Sequence, residues 1–128
     1  DLFGVKAKLV PINIDKAETE GFLESVVLDL IHESKEFFDL KKEYSIADIP
    51  LERSYDKAGY GNLADDEKEA IKTLARTEGI LLDPVYTGRA FYGMLDYLRK
   101  SKIPQNTNIL FWHTGGLPAN FNYGKELF

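Results

Sequence analysis

The sequence contains no cysteine, which excludes disulfide bonds and thiolate metal sites. Its two histidines, His32 and His113, lie far apart and have no carboxylate at ligand spacing, so no metal site is predicted. No apolar run approaches the roughly 18 residues of a membrane-spanning helix. The net charge is −5 and no stretch of Lys and Arg offsets it. This balance argues against nucleic acid or an anionic membrane surface as a partner.

The first five residues, Asp1 to Val5, lack the basic and apolar regions of a signal peptide. We therefore expect a cytoplasmic protein. The sequence has no initiator Met and starts directly before a predicted strand, which is typical of a cut or processed chain. Its 128 residues suffice for one compact domain, so residues 1–128 are predicted to form a single α/β unit.

Helix and strand patterns alternate along the chain. Apolar residues recur three and four apart in three predicted helices, at Glu18–Asp39, Asp65–Thr77 and about Gly88 to Lys100. Strands are predicted at Val5–Ile14 and Asn108–Trp112, with a shorter one within Lys41–Asp56. This order predicts an α/β fold with a mainly parallel sheet flanked by helices.

Two glycine-containing segments are candidates for ligand binding. His113–Gly116 (HTGG) follows a predicted strand, and ligands of parallel α/β folds bind at the carboxyl ends of strands. Asp83–Gly88 (DPVYTG) would place Tyr86 and Thr87 at a helix N-terminus, which suits polar ligands. On pattern alone, HTGG is more often a tight turn, and Tyr86 is more often a half-buried core aromatic.

Other patterns have ordinary interpretations. None of the five serines lies in the G-x-S-x-G motif of serine hydrolases. The acidic run Asp65-Asp66-Glu67 is interpreted as a solvated helix start and not as an acid–base pair. His32 lies within the first predicted helix and is interpreted as a surface or structurally satisfied residue.

Three segments together resemble one family: Lys57–Gly61 (KAGYG), Thr77–Ala90 (TEGILLDPVYTGRA) and Ile109–Gly116 (ILFWHTGG). In this order and spacing they resemble the pyridoxal-phosphate (PLP) enzymes that include D-cysteine desulfhydrase and 1-aminocyclopropane-1-carboxylate (ACC) deaminase. The match is strong over about residues 59–124. Over residues 1–56 only the strand–helix–strand order agrees. The resemblance implies that the chain is the C-terminal portion of a larger enzyme.

The resemblance also implies a fold and a set of site residues. The family has the tryptophan-synthase-β fold (PLP fold type II), in which two α/β domains hold PLP between them. By position, Tyr60 and Tyr86 match the two active-site tyrosines and are predicted to be catalytic. Tyr86, Thr87, Thr114 and Gly115 are predicted to bind the cofactor, with Thr114 able to reach the pyridine nitrogen.

Two positions separate the subfamilies. ACC deaminases resemble DPVYEG and HLGG, whereas this chain has Thr87 and Thr114. A carboxylate beside the pyridine nitrogen keeps the ring a strong electron sink, and a neutral hydroxyl gives a weaker one. The pair favours D-cysteine desulfhydrase, which eliminates sulfide from D-cysteine to leave pyruvate and ammonia. The alternatives are an ACC-deaminase-type activity and a non-catalytic α/β interaction module.

The resemblance places the Schiff-base lysine and the phosphate-binding loop in the N-terminal half of the family's enzymes. This chain alone is therefore predicted to be inactive. The expected partners are a small amino-acid substrate and the missing N-terminal half, with a homodimer when the protein is complete. Neither nucleic acid nor a membrane is expected. Asn120 departs from the small or apolar residue that related sequences often carry, which leaves the fit of the substrate open.

Overall fold

The structure, a computed structural model, describes residues 4–16 and 19–127. They form two compact units. The first comprises residues 4–11 and 19–52, and the second comprises residues 12–16 and 53–127. A single α/β domain over the whole chain stays a prediction.

The first unit is built on helix α1, Phe22–Phe38, followed by a 3₁₀ turn at Ile46–Asp48. The helix begins after Gly21, whose φ of 86° is the left-handed conformation that glycine adopts at low cost. It ends at Asp39, also left-handed. This confirms the predicted helix over its central part, whereas its predicted first residue, Glu18, lies outside the described residues. Every side chain of α1 remains exposed or half-buried.

The second unit contains helices α2 (Asp65–Glu78) and α3 (Thr87–Arg99). A 3₁₀ turn at Leu117–Phe121 and the short helix α4, Gly124–Leu127, follow them. The two long helices confirm the predicted segments to within one residue at each end, because their apolar periodicity is a local signal.

The core of the second unit lies where α2 and α3 pack together. Its buried apolar residues come from both helices and from the segments around them: Ala70, Ile71, Leu82, Phe91 and Leu127. Gly88 permits the close approach at the start of α3, since a Cβ there would lie 2.6 Å from Ile71 Cδ1. The beginning of α3 is thereby fixed against the middle of α2.

The predicted strands are wrong for the described residues. No strand ladder forms within residues 4–16 and 19–127, and only isolated β-bridge positions occur, at Ile12 and Glu52. The parallel sheet is therefore not confirmed. Alternation of apolar residues reports which faces are buried, but a strand also needs a neighbouring strand to accept its hydrogen bonds.

The segment Asn108–Trp112, which the sequence predicts to be a strand, has no ladder and is mostly exposed. Phe111 packs on Phe91 with ring centroids 5.3 Å apart, whereas Leu110 is 83% exposed and Trp112 is 76% exposed. Among the described residues, no helix has both the length and the apolar character that crossing a membrane requires.

Candidate functional site

The turn before α3 is organised around the carboxylate of Asp83, which is fully buried. Its Oδ2 accepts hydrogen bonds from the backbone N–H groups of Val85 (2.8 Å) and Tyr86 (2.7 Å). Its Oδ1 accepts from the backbone N–H of Thr87 at 2.8 Å and from the Thr87 hydroxyl at 2.5 Å. These donors lie at a helix N-terminus, where the helix dipole also stabilises negative charge. The DPVYTG segment is thus a rigid turn closed by its own first residue.

Thr87 belongs to the interior of this turn. It is buried, and its Oγ1 donates to Asp83 Oδ1 while accepting from the Asp83 backbone N–H at 2.9 Å. Its role in cofactor binding stays a prediction. With the hydroxyl engaged in this way, Thr87 can act on a ligand only by shaping the turn that presents Tyr86.

The turn presents Tyr86 outward, against Tyr60. The two side chains are 42% and 53% exposed, so Tyr86 is not the core aromatic that its pattern alone favours. The phenol oxygens are hydrogen-bonded to each other, and either can be the donor. The rings meet edge to face, with centroids 5.9 Å apart. The structure thus brings together the two tyrosines that the sequence predicts to be catalytic.

The hydrogen bond between the tyrosines affects their protonation. The pKa of Tyr60 is raised above its ordinary value, chiefly by the hydrogen bond to Tyr86 and secondarily by burial. Tyr60 therefore stays protonated to a higher pH than an ordinary tyrosine. The two phenols can share a proton with each other and can donate one to a bound ligand. The pair therefore acts on a ligand as a hydrogen-bond donor and not as a base.

Tyr60 lies between Gly59 and Gly61, which have φ values of 81° and 71°. This left-handed backbone on both sides turns the tyrosine outward from the loop 59–62. The Tyr123 hydroxyl donates to the Gly61 carbonyl at 2.5 Å. The Asn62 side chain donates to the Ala58 carbonyl at 2.9 Å. The loop is thus held by side chains as well as by its own backbone.

Arg89, three residues after Tyr86, is the buried cation of this region, with 0% exposure. Its Nε donates to Glu67 Oε1 at 2.6 Å, and Nη2 donates to the carbonyls of Gly59 (3.1 Å) and Asn62 (2.9 Å). Its Nη1 donates to the Ile14 carbonyl. The interpretation of Glu67 as part of a solvated run is therefore wrong. An acidic run marks a helix start but does not reveal a buried partner 22 positions away.

The HTGG segment is attached to the residues just before and within DPVYTG. The Gly115 N–H donates to His113 Nδ1 at 3.1 Å, so the hydrogen of this imidazole is on Nε2, which donates to the Leu81 carbonyl at 3.0 Å. Gly116, with φ 92°, lies against Asp83, and a Cβ there would be 2.5 Å from Oδ1. Thr114 is exposed, and Gly115 is half-buried. HTGG is thus a loop fitted against the Asp83 turn and more than an isolated tight turn.

Other candidate chemistry is sparse. Within the part of the chain that the structure describes, no group of three or more His, Asp and Glu could hold a metal ion. His32 lies on α1 in the first unit and is exposed. The residues that sequence reasoning missed are Glu67, Arg89 and Tyr123. The buried pair of Glu67 with Arg89 leaves no local signal in the sequence. Neither does the contact of the Tyr123 hydroxyl with the Gly61 carbonyl, 62 positions away.

Known proteins match this chain over most of its length. An ACC deaminase from Rhizobium rhizogenes is 38% identical over 112 residues, which cover 88% of this chain and 33% of that protein. One from Methylobacterium nodulans is 35% identical over 113 residues, 88% of this chain and 34% of that protein. A crystal structure of an ACC deaminase homologue matches with a TM-score of 0.77 and 36% identity, covering 92% of this chain and 34% of that one.

The chain belongs to the family of the ACC deaminases. No family model matches it. The chain spans about a third of the length of the relatives it matches. These relatives carry the name of ACC deaminase and not that of D-cysteine desulfhydrase, so they favour the alternative activity over the one that Thr87 and Thr114 favour.

Proposed function

We propose that the complete protein is a PLP-dependent enzyme that deaminates a small α-amino acid, with ACC as the first candidate substrate. The observation that carries the proposal is the exposed, hydrogen-bonded pair Tyr60–Tyr86 in a chain homologous to ACC deaminases. The reaction consumes ACC and water and releases 2-oxobutanoate and ammonia. When bound, PLP would supply the electron sink that withdraws electrons from the substrate.

The residues present fit one face of such a cofactor. The donor set consists of two exposed phenols, the exposed Thr114 hydroxyl and the glycine-rich backbone of HTGG. Neutral hydroxyl donors suit a pyridine nitrogen and the polar groups of an amino acid. We assign Tyr86, Thr114 and Gly115 to holding the ring and the substrate. The lysine and the phosphate-binding loop are proposed to lie in the rest of the protein, as is a dimer interface.

The chain's own contribution to the reaction is then positioning and proton handling. Tyr60 stays protonated to a higher pH than an ordinary tyrosine, because the hydrogen bond to Tyr86 raises its pKa. A proton donated to the substrate from either phenol oxygen can be replaced through the other, since the two oxygens are hydrogen-bonded to each other. The buried Asp83 turn holds Tyr86 fixed while this occurs, which reduces the cost of orienting the donor.

A second candidate is elimination of sulfide from D-cysteine, and it is favoured by Thr114. A hydroxyl at this position can donate to an unprotonated pyridine nitrogen and leaves a weaker electron sink. A weak sink suffices to expel a good leaving group such as thiolate. This reaction consumes D-cysteine and water and releases pyruvate, ammonia and sulfide. Thr87 adds less to the case than its sequence position indicates, because its hydroxyl is hydrogen-bonded to Asp83.

The test uses the full-length protein loaded with PLP and offers ACC and D-cysteine separately. Release of 2-oxobutanoate from ACC supports the first candidate, and release of pyruvate and sulfide from D-cysteine supports the second. Tyr60→Phe and Tyr86→Phe are expected to lower kcat by about tenfold or more, whereas Tyr44→Phe, in the first unit, is the matched control. A protein that binds PLP but converts neither amino acid would refute both candidates.

A further inference from the structure

The backbone of the loop that carries Tyr60 is held by contacts that do not involve the Tyr60 side chain. Its loop, residues 59–62, approaches the start of α3 through backbone carbonyls. One nitrogen, Arg89 Nη2, donates hydrogen bonds to both the Gly59 and the Asn62 carbonyls, at 3.1 and 2.9 Å. These two carbonyls flank Tyr60 on either side. A single guanidinium group therefore fixes both ends of the loop that carries the tyrosine.

Arg89 is well suited to act as a fixed reference point. It is fully buried and pairs with Glu67, whose side chain is 3% exposed. Removing a buried guanidinium from its carboxylate is costly, so the pair holds the arginine in one geometry. The planar fork spreads five N–H donors over three nitrogens and so reaches the Glu67 carboxylate and several carbonyls together, whereas lysine has three donors on a single nitrogen.

The start of α3 carries both Tyr86 and Arg89, and Arg89 holds the loop that contains Tyr60. Tyr86 is the residue immediately before α3, and Arg89 is the third residue of that helix. The position of Tyr86 is set by the Asp83 turn, and the position of Tyr60 is set from Arg89, three residues further on. The Tyr123 hydroxyl also donates a hydrogen bond to the Gly61 carbonyl in the same loop.

We propose that Arg89, held by Glu67 and assisted by Tyr123, is a positioning residue that places the Tyr60 phenol against the Tyr86 phenol. For the reaction this rests on the proposed function. The placement of the phenol itself does not, and it can be tested without substrate or cofactor. Arg89 touches neither phenol, so its effect must pass through the loop 59–62.

The first arm of the test measures Tyr60 directly in the full-length protein. The phenolate absorbance of each protein is titrated against its Tyr60→Phe counterpart, so that the difference reports Tyr60 and the Tyr86 phenol to which it is hydrogen-bonded. Arg89→Lys keeps the charge but loses the fork. It is expected to let Tyr60 ionise at lower pH, because the hydrogen bond to Tyr86 is weakened. Arg99→Lys, at the exposed end of the same helix, should leave the titration unchanged.

The second arm is a double-mutant cycle on kcat/KM for the substrate that the protein converts. Arg89→Lys is expected to lower kcat/KM by about tenfold or more, as a small misplacement of a reacting group does. In the Tyr60→Phe background the same change should cost no more than about twofold, because the group it positions is already gone. An equal loss in both backgrounds, with an unchanged Tyr60 titration, would overturn the proposal.

A milder variant guards against loss of folding. Should thermal unfolding show that Arg89→Lys no longer folds cooperatively, Tyr123→Phe takes its place in both arms, with an expected loss of roughly fivefold for one hydrogen bond. A Tyr123→Phe protein with unchanged titration and unchanged kcat/KM would then refute the proposal. If the protein converts neither amino acid, the proposed function fails and the titration alone decides whether Arg89 positions Tyr60.

Discussion

At the scale of single residues, Asp83 is a carboxylate stabilised by hydrogen-bond donors of its own turn. Asp83→Ala would leave three backbone N–H groups and the Thr87 hydroxyl without their acceptor in a buried place. We expect the free energy of unfolding to fall by about 3 kcal/mol or more. Denaturant unfolding measures this change. Asp65→Ala, whose side chain is 98% exposed, should change stability by less than about 0.5 kcal/mol. Equal effects of the two substitutions would contradict this role for Asp83.

A second prediction at this scale concerns the protonation of Tyr60. Its raised pKa, chiefly caused by the Tyr86 hydroxyl, should fall toward the ordinary value of 10.0 in Tyr86→Phe. Because the folded-state pKa is the raised one, the pair stabilises the fold below pH 10.0, and this contribution is lost as the pH rises through the folded-state pKa. Ultraviolet titration of the phenolate measures the shift.

The control for this titration is Tyr92→Phe, which removes a hydroxyl that donates to Asp66 at 3.1 Å on another part of the second unit. It should leave the Tyr60 titration unchanged. A Tyr60 that ionises at the same pH with and without the Tyr86 hydroxyl would show that the hydrogen bond between the two phenols does not form in solution.

At the scale of elements, the contact between α2 and α3 depends on Gly88. A Cβ at this position would lie 2.7 Å from the Asp83 carbonyl oxygen and 2.6 Å from Ile71 Cδ1. Backbone cannot yield as a flexible side chain does, so Gly88→Ala should force the helix start away from α2. We expect a loss of about 1–3 kcal/mol in the free energy of unfolding, measured by thermal or chemical denaturation.

Gly124→Ala is the matched control, because a Cβ there would meet nothing within 4 Å. It should be neutral or slightly stabilising, since alanine favours helix over glycine. If Gly88→Ala were as well tolerated as Gly124→Ala, the close approach of α2 and α3 could not be what fixes the start of α3.

The elements also show what the sequence can predict. Helices α1, α2 and α3 follow from apolar residues three and four apart, a signal contained within each segment. The strand predicted at Asn108–Trp112 fails because a ladder depends on a second segment, and only Phe111 of this segment is half-buried, between exposed neighbours. A strand is defined by its hydrogen bonds to a neighbouring strand, so residues 108–112 alone could not show whether a strand forms.

The residues of the candidate site also differ in how far the sequence predicts them. The family resemblance predicts that Tyr60 and Tyr86 belong to one site, and the structure brings the two side chains into contact. The burial of Glu67 against Arg89 could not follow from a run of three acidic residues, because its partner lies on another helix. The internal hydrogen bonds of Thr87 are local, four residues from Asp83, but a hydroxyl beside a predicted ligand site is ambiguous until its rotamer is known.

At the scale of the whole molecule, large apolar side chains of the second unit are exposed, Leu110, Trp112 and Phe121 among them. Large apolar side chains that are exposed close together usually mark contact surfaces. We expect the 128-residue chain by itself to associate with increasing concentration. Trp112 is the single tryptophan of the sequence, so its fluorescence reports on this surface alone. Quenching by acrylamide should be strong in dilute solution and should weaken as the concentration rises.

Leu110→Asn removes one exposed apolar side chain and should shift the onset of association to higher concentration, as followed by light scattering. A chain that stays monomeric at all concentrations, with Trp112 equally accessible throughout, would mean that these side chains do not form a contact surface.

The contact of Gly116 with the Asp83 carboxylate has a consequence for how the sequence can change over evolution. A side chain at position 116 is compatible with the fold only if the carboxylate at position 83 moves or disappears, and that carboxylate closes the turn that presents Tyr86. DPVYTG and HTGG are separated by 24 residues in the sequence, but a substitution in one segment limits which residues the other can carry. A chimera that takes one segment from a divergent relative should fold well only if it takes the other from the same parent.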